Sequence, residues 1–478
     1  MRNANGSGHE QRRQTDGPGK DEVNRMNDFR KTAQEMLEFI RISPTCFHAV
    51  ANIGRMLEAA GFQQLQEKEE WKLEKGGRYY TERNDSSVIA FVIPEKEVGI
   101  RGFHMAAAHS DSPCFKIKEK PELTVEEHYL RLNTEKYGGM ILSTWLDRPL
   151  SVAGRLAVKN GNGIEGRLVN IDRDLCVIPN VAIHMNREMN KGVEYNPQVD
   201  LLPLLADVSF DEYDAHTTYD AQTASENAEE QPETVEKPTL AALAAETAGV
   251  DAETILGEDL FLYTRQEGKM IGAKGEFVLS PRLDDLQSAF ALTKAFTEST
   301  PAEYINLCAV FDNEEVGSGT RQGADSTFLE DTLQRIAEGL QADHSSYLRW
   351  VADSFLISAD NAHAVHPNHP EKADPANRPY LNGGIVIKYH GSQKYTTDGI
   401  SAARMKDYCE RAKVPYQTYA NRSDIAGGST LGNISTAHVS VSSVDIGLPQ
   451  LAMHSAVETA GMKDTEYAVR ALKEFWGE

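Results

Sequence analysis

The 478-residue chain has few cysteines, and their arrangement excludes two common kinds of site. The five cysteines are scattered, and no two of them stand in a CxxC pair. An odd, dispersed set predicts neither a disulfide framework nor a thiolate zinc knuckle. A reducing compartment, the cytoplasm, is therefore the expected location.

Positive charge and long apolar runs are scarce as well. The 49 Lys and Arg residues against 72 Asp and Glu residues give a formal net charge of -23 at pH 7. Such a surface repels nucleic acids and anionic membranes, so neither is expected as a partner. No apolar run is long enough to span a bilayer, and residues 1–24 lack the apolar core of a signal peptide.

The pattern along the chain predicts four regions. Residues 1–24 are polar and unpatterned, which predicts a disordered tail. Residues 25–118 and 263–478 are expected to form one main domain in two parts, and residues 119–262 a β-rich insertion. Within the insertion, "NGNG" between two alternating runs predicts a hairpin. The acidic, apolar-poor stretch 212–236 is expected to be a mobile surface loop.

The main domain is predicted to be α/β, with a mixed, largely parallel sheet and helices on both faces. Two amphipathic helices separated at Pro44 come first, and strands and helices alternate beyond Lys269. The last helix is expected to span "SAVETAGMKDTEYAVRALKEFW", with His454 at its start, and "AHVSVSSVDIG" is expected to be a strand. In such sheets ligands gather at the carboxyl ends of the strands.

Five short stretches, far apart in the chain, leave ligands for a hard metal ion near predicted strand ends. They are "AAAHSDSPCF" with His109 and Asp111, "SPRLDDLQ" with Asp284, "FDNEEVGSG" with Glu314 and Glu315, "FLISADNAH" with Asp360, and "LAMHSAVE" with His454. Two imidazoles and at least three carboxylates are the ligands of a two-zinc hydrolase. One carboxylate bridges the metals, for which Asp284 is the candidate, and another moves protons. Of the adjacent pair Glu314 and Glu315, one can bind metal while the other faces water.

Each of these residues also has a structural explanation when it is considered alone. Asp284 precedes a helical pattern and suits a helix N-cap, a role that Asp285 can also fill. The glutamate pair suits a solvated turn, a lone histidine is more often structural than a ligand, and Asp360 suits a cap. The metal hypothesis depends on all five stretches occurring together.

Several blocks resemble one known family. They are "HSDSPCFKIK", "TWLDRPLSVAGR", "SPRLDDLQSAF", "FDNEEVGSGT", "SADNAHAVHPNHP", "DIAGGSTLG" and "LAMHSAVETAG". In this order they are similar to the aspartyl aminopeptidase and vacuolar aminopeptidase I family of dizinc metallopeptidases. The resemblance implies a catalytic domain of the zinc aminopeptidase fold, interrupted by a β-rich dimerisation domain, in a tetrahedral dodecamer. It also implies two zinc ions per subunit, which Mn²⁺ or Co²⁺ can replace at carboxylate-rich sites.

The resemblance also implies roles for individual residues. It makes Asp284 the bridging ligand, with His109 and Asp360 at one zinc and Glu315 and His454 at the other. Glu314 is then the general base and Asp111 orients an imidazole. Lys388, with Tyr395 nearby, matches the position that reads an acidic substrate side chain, although an edge-strand lysine facing water is the alternative. His184 matches a histidine that enters a neighbouring subunit's active site, and Asn180 departs from the pattern there.

The expected activity is hydrolysis of the N-terminal residue of peptides, with a preference for Asp or Glu. An aminopeptidase of the same fold with neutral or broad specificity is the first alternative. A non-catalytic metal-binding scaffold protein is the second.

Overall fold

The computed structural model describes residues 20–95, 99–208, 239–425, 427, 428 and 430–478. The expected tail therefore lies outside the described residues up to residue 19, whereas residues 20–24 of it lie in the first helix, Lys20–Arg41. The acidic loop 212–236 lies outside the described residues entirely. Within the described ranges, no helix has the length and apolar content needed to cross a membrane.

Helices occur in both predicted parts of the main domain, and one of them lies in the predicted insertion. Within the described residues the α-helices are α1 Lys20–Arg41, α2 Cys46–Ala59, α3 Leu240–Ala248, α4 Leu283–Thr297, α5 Phe328–Gly339, α6 His344–Ala352, α7 Gly399–Ala412, α8 Leu431–His438 and α9 Asp464–Trp476. The break between α1 and α2 lies at Pro44, as predicted.

The strands in the described part of the chain form three sheets. In chain order they are β1 Gln63–Gln64, β2 Arg78–Arg83, β3 Ser87–Val92, β4 Phe103–His109, β5 Cys114–Val125, β6 Tyr129–Tyr137, β7 Leu150–Asn160, β8 Gly163–Asn170, β9 Leu204–Asp207, β10 Ile255–Thr264, β11 Lys269–Ile271, β12 Phe277–Ser280, β13 Ile305–Phe311, β14 Phe355–Ala359, β15 Ala362–His363, β16 Ile385–Tyr389, β17 Tyr416–Ala420, β18 Ser442–Gly447, β19 Pro449–Leu451 and β20 Glu458–Gly461.

The central sheet has the order β1-β2-β3-β13-β4-β14-β18-β16-β17 in the described part of the chain. Five of its eight pairings are parallel and three are antiparallel. The neighbours β13, β4 and β14 are mutually parallel, so their carboxyl ends meet at one edge of the sheet. The predicted mixed, largely parallel sheet is confirmed.

Helices cover both faces of this sheet because its central strands are apolar on both sides. In β4, Ala106 and Ala108 pack into one core with α1, α2, α4, α7 and α9. Met105 and Ala107 point the other way, into a second core with α5, α6 and α8. The predicted two-faced layer arrangement is therefore confirmed.

A six-stranded antiparallel sheet, ordered β8-β7-β10-β5-β6-β9, uses strands from the predicted insertion and has its own apolar core. The predicted hairpin is confirmed, since Asn160 of β7 pairs with Gly163 of β8. A third sheet has the order β11-β12-β20-β19-β15. Its paired strands β15 and β19 directly follow β14 and β18 in the chain, so this sheet begins at the carboxyl edge of the central sheet. The division of the chain into domains stays a prediction.

Two predictions of local structure are wrong. Residues Glu458–Gly461 form β20, which pairs with both β12 and β19, so the last helix begins only at Asp464. His454 consequently lies in a turn and does not start a helix. The predicted strand "AHVSVSSVDIG" includes Ala437 and His438, which end α8. In both places short apolar repeats fit helix and strand alike, and tertiary pairing decides between them.

Candidate metal centre

Three of the predicted ligand stretches meet where β13, β4 and β14 end. His109 is the last residue of β4, and Asp360 directly follows β14. Glu314 and Glu315 begin a 3-10 helix three residues after β13. Since the three strands are parallel neighbours, their ligand-bearing ends lie side by side. The sheet thus brings together an imidazole and three carboxylates that are up to about 250 residues apart in sequence.

The remaining ligand candidates, Asp284 and His454, come from two turns with unusual backbone geometry. Asp284 follows Arg282, which has a left-handed φ of 54°, and is itself non-helical at φ -84° and ψ 108°. His454 has φ 65° in the turn between β19 and β20. Asp284 Oδ1 lies 3.6 Å from His109 Nε2, and Asp284 Oδ2 lies 3.4 Å from His454 Nε2. One carboxylate therefore presents its two oxygens to two different imidazoles.

The donor atoms of this cluster suit metal ions. Ligand atoms lie within 4.8 Å of one another in three sets: His109, Asp284, Asp285 and Asp360; His109, Glu314 and Glu315; and Asp284, Glu315 and His454. Among the described residues, Asp284 Oδ1 and Glu315 Oε1 are buried oxygens without a hydrogen-bond partner. Buried carboxylates this close repel one another unless a proton or a cation lies between them. Two imidazoles and several carboxylates match zinc's preference for nitrogen and oxygen ligands.

The structural alternatives for single residues are wrong for three of them. Asp284 is not the helix cap, because the N-cap position of α4 is Arg282 and no side chain of the described residues caps it. Asp285 does not cap the helix either; its Oδ2 accepts a hydrogen bond from the His109 N–H at 3.3 Å. Glu315 is not a solvated turn residue, since only 4% of its side chain is exposed.

The environment shifts the pKa values of the carboxylates in opposite directions. Burial raises the pKa of Glu314 to about 7; the His109 imidazole opposes this shift, and Asp360 and Asp111 add to it. Burial also acts to raise the pKa of Asp284, but its contacts with His109 and His454 lower the pKa overall. A carboxyl group with a pKa near neutral pH is suited to general acid–base work.

Asp111 contacts His109 and also the glutamate pair. Its Oδ1 lies 3.3 Å from His109 Nδ1. The N–H groups of Glu314 and Glu315 donate to the two Asp111 oxygens at 3.1 and 3.2 Å, and the Tyr137 hydroxyl donates at 2.7 Å. The sequence predicts only the contact with the imidazole. Asp111 also fixes the backbone that presents both glutamates.

Glu458 is a part of the site that the sequence analysis missed. It is buried at the start of β20, and its carboxylate accepts hydrogen bonds from the N–H groups of Asp284 and His454. The one feature of the sequence that points to Glu458 is a carboxylate inside the mostly apolar block "AVETAGM", which indicates a buried charged group. The predicted helix in this block would have placed Glu458 one turn from His454, so its contact with Asp284 could not be foreseen.

Lys388 and Tyr395 line the pocket that opens onto the cluster. This pocket of about 840 Å³ is also lined by Glu314, Asp360 and His454. Lys388 is 2% exposed in β16, which lies between β17 and β18, so the edge-strand alternative is wrong. The Lys388 ammonium lies 5.1 Å from the centre of the Tyr395 ring.

His184 lies apart from the cluster. It is exposed on a turn between β8 and β9. Within the described ranges, no hydrogen bond or ion pair joins it to any of the predicted ligands. Asn180, where the chain departs from the family pattern, donates through its backbone N–H and its side chain to the Asp147 carboxylate at 2.9 and 2.6 Å. A role for His184 at an active site therefore needs a second subunit.

Comparison with known proteins identifies the family. The model of the aminopeptidase I zinc metalloprotease (M18) family matches residues 39–476. A "Probable M18 family aminopeptidase 2" of Clostridium novyi is 47% identical over 448 residues, which cover 93% of this chain and 98% of the relative. Another protein of that name, from Pseudomonas entomophila, is 40% identical over 92% of this chain and 97% of its own length.

Solved structures agree with this result. The "Cryo-EM structure of the Ape4 and Nbr1 complex" contains a chain 36% identical, with a TM-score of 0.86, covering 95% of this chain and 86% of that one. The "Structure of S. cerevesiae mApe1 dodecamer" is 26% identical, with a TM-score of 0.77 and coverage of 94% and 97%. The chain belongs to the M18 family of aminopeptidase I zinc metalloproteases. The expected family, fold and enzyme class, a metallo-aminopeptidase, are confirmed.

Proposed function

We propose that the chain binds two metal ions, normally zinc, that share Asp284. His109 and Asp360 complete one ligand set, and Glu315 and His454 complete the other. The observation that carries this proposal is the placement of the two Asp284 oxygens, one facing each imidazole. Bound ions of this kind polarise a scissile carbonyl and lower the pKa of water.

The chain's own residues then supply the proton transfers of peptide hydrolysis. Glu314 lines the pocket beside Asp284 and Asp360, where it takes a proton from the attacking water and passes it to the leaving amine. Asp111 holds His109 through Nδ1 and thereby directs Nε2 towards Asp284. The products are a free amino acid and a peptide shortened by one residue.

We further propose a preference for N-terminal Asp or Glu. Lys388 supports this preference because it is a buried cation at the wall of the pocket, where an acidic side chain would gain most from its charge. One observation favours the broad-specificity alternative. The Lys388 ammonium already contacts three acceptors, the carbonyl oxygens of Asp360 and Asn361 and the carboxylate of Asp360.

We also propose assembly into a dodecamer in which His184 enters the active site of a neighbouring subunit. The M18 relative from S. cerevesiae is described as a dodecamer. Around His184 the chain exposes apolar side chains, among them Val181, Ile183 and Met185, the last at 82%. Exposed apolar patches of this kind are typical of subunit interfaces. The cytoplasmic location stays a prediction.

A panel of aminoacyl chromogenic substrates, assayed together with the metal content of the protein, tests the proposed function. We expect two zinc ions per subunit, highest turnover on Asp and Glu substrates, and loss of activity on chelation that zinc restores. Turnover highest on neutral residues would favour the broad-specificity enzyme. Two bound ions without any turnover would favour the scaffold alternative.

A further inference from the structure

The two turns that carry Asp284 and His454 are joined by one side chain. Glu458 Oε2 accepts a hydrogen bond from the Asp284 N–H at 3.0 Å, and Glu458 Oε1 accepts one from the His454 N–H at 2.7 Å. The carboxylate is 2% exposed. It therefore spans two segments that are 170 residues apart in sequence and that both carry predicted ligands of the same metal ion.

Both of these backbone segments need such support. Asp284 is non-helical inside α4 and lies two residues after the left-handed Arg282, and His454 is itself left-handed. The left-handed region is unfavourable for non-glycine residues such as Arg282 and His454, and they persist there only where the surroundings hold the backbone. Buried N–H groups in such turns also need an acceptor that regular secondary structure does not provide.

A carboxylate is electrostatically an unfavourable choice at this place. Asp284 and Glu315 already bring negative charge, and a further buried anion adds to the repulsion. A carboxylate is nevertheless the side chain of this length that offers an acceptor to each of two N–H donors. Glutamine offers one acceptor, and its amide group would meet the second N–H as a donor. The geometry of the two donors thus explains the presence of a glutamate.

We propose that Glu458 is a positioning residue that holds Asp284 and His454 in the arrangement that binds metal, and so sets the metal affinity of the Asp284, Glu315 and His454 ligand set. This inference rests on the proposed two-metal function. Groups that orient metal ligands through hydrogen bonds typically change metal affinity about 10- to 100-fold when they are removed. Glu458 touches neither substrate nor metal in this account.

The test compares Glu458→Gln with a matched control, Asp464→Asn. Asp464 is also a buried carboxylate, and its two oxygens accept hydrogen bonds from the N–H groups of Asn382 and Gly384 at 2.7 and 2.9 Å. Both variants lose one acceptor for a backbone N–H, but only one of them lies at the metal cluster. Zinc affinity is measured by titration of the full-length apoprotein against a competing chelator, and folding by thermal unfolding of the same samples.

We expect Glu458→Gln to weaken the binding of one of the two zinc ions about 10- to 100-fold, while Asp464→Asn binds both as the wild type does. Activity of Glu458→Gln should recover as free zinc is raised. Glu458→Asp, which keeps the charge but is one methylene shorter, should show an intermediate loss and serves if the glutamine variant does not fold.

Two results would overturn the inference. One is wild-type affinity for both ions in the Glu458 variants, and the other is an equal loss of affinity in Asp464→Asn, which would indicate general destabilisation. Failure of the proposed function looks different, because the wild-type protein itself would then bind fewer than two zinc ions.

Discussion

The Lys388 ammonium donates to the Asp360 carbonyl oxygen at 2.7 Å and lies 3.4 Å from the Asp360 carboxylate. Burial acts to lower the pKa of Lys388, but Asp360 and the other nearby anions raise it, so the lysine stays charged. Lys388 can therefore act on the substrate through its charge, on the metal site through Asp360, or on both.

Replacing Lys388 by methionine distinguishes these roles. If the Lys388 ammonium binds the substrate side chain, kcat/KM falls more for Asp and Glu substrates than for Ala substrates, because only the acidic side chains lose an attractive charge. We expect this unequal loss to be about 10-fold or more, because a hydrogen bond to a charged group contributes about 1.5–3 kcal/mol.

Zinc content and a control variant complete that comparison. Lys372→Met, which removes an exposed lysine from a neighbouring groove, should leave the substrate preference unchanged. Equal losses on acidic and neutral substrates, accompanied by loss of zinc, would show that Lys388 only supports Asp360.

Glu314→Gln should keep both metal ions and lose turnover. The amide cannot accept the proton of the attacking water, and general acid–base groups contribute about 10²- to 10⁴-fold in rate. Metal analysis and kcat on an Asp substrate measure the two parts of this prediction. Retained activity would remove Glu314 from the proton transfer, whereas loss of metal would make it a ligand.

Activity should rise with pH through the ionisation of Glu314. Burial raises its pKa to about 7, and the base works only as the carboxylate, so the protonated enzyme below that pKa is inactive. Bound cations favour the carboxylate and move the midpoint to lower pH. The free α-amine of an Ala substrate has a pKa of about 7.7–8.0 and also affects kcat/KM, so the profile is recorded as log kcat at saturating substrate, which reports the groups of the enzyme–substrate complex. It should rise to a plateau with a midpoint at or below about 7. A profile that is flat or falls across this range would contradict the assignment.

His184 gives a prediction about the assembly. The variants His184→Ala and Glu314→Gln should each lose nearly all activity when expressed alone. For His184→Ala we expect kcat to fall about 10²- to 10³-fold, because the imidazole would stabilise the charge that develops in the reaction. Co-expressed subunits carrying one change each should regain part of the activity, because some sites combine an intact Glu314 with an intact His184 from the neighbour. No recovery in mixed oligomers of confirmed composition would argue against a shared site.

The parts of the site that depend on strand ends could be predicted from the sequence. His109, Glu314 and Asp360 each follow an apolar run, and parallel strands place such positions at one edge. The N-cap alternative for Asp284 is equally good on sequence alone. The structure excludes the cap, and the placement of its two oxygens at His109 and His454 supports the bridge that we propose.

Other features depend on contacts that leave no local pattern. The sequence predicts Glu458 on a helix, whereas its proposed role follows from the strand pairing that places β20 beside β12 and β19. The sequence around Lys388 fits an edge strand equally well, and only the sheet order, with β16 between β18 and β17, shows that its strand is internal. The proposed role of His184 depends on a second copy of the chain, which the sequence of one chain cannot position.

A zinc-loaded crystal examined by anomalous scattering at the zinc edge tests the central claim most directly. The account predicts two peaks per subunit, each about 2.0–2.2 Å from a different oxygen of Asp284, with His109 beside one peak and His454 beside the other. A single peak, or two peaks of which neither touches Asp284, would contradict it.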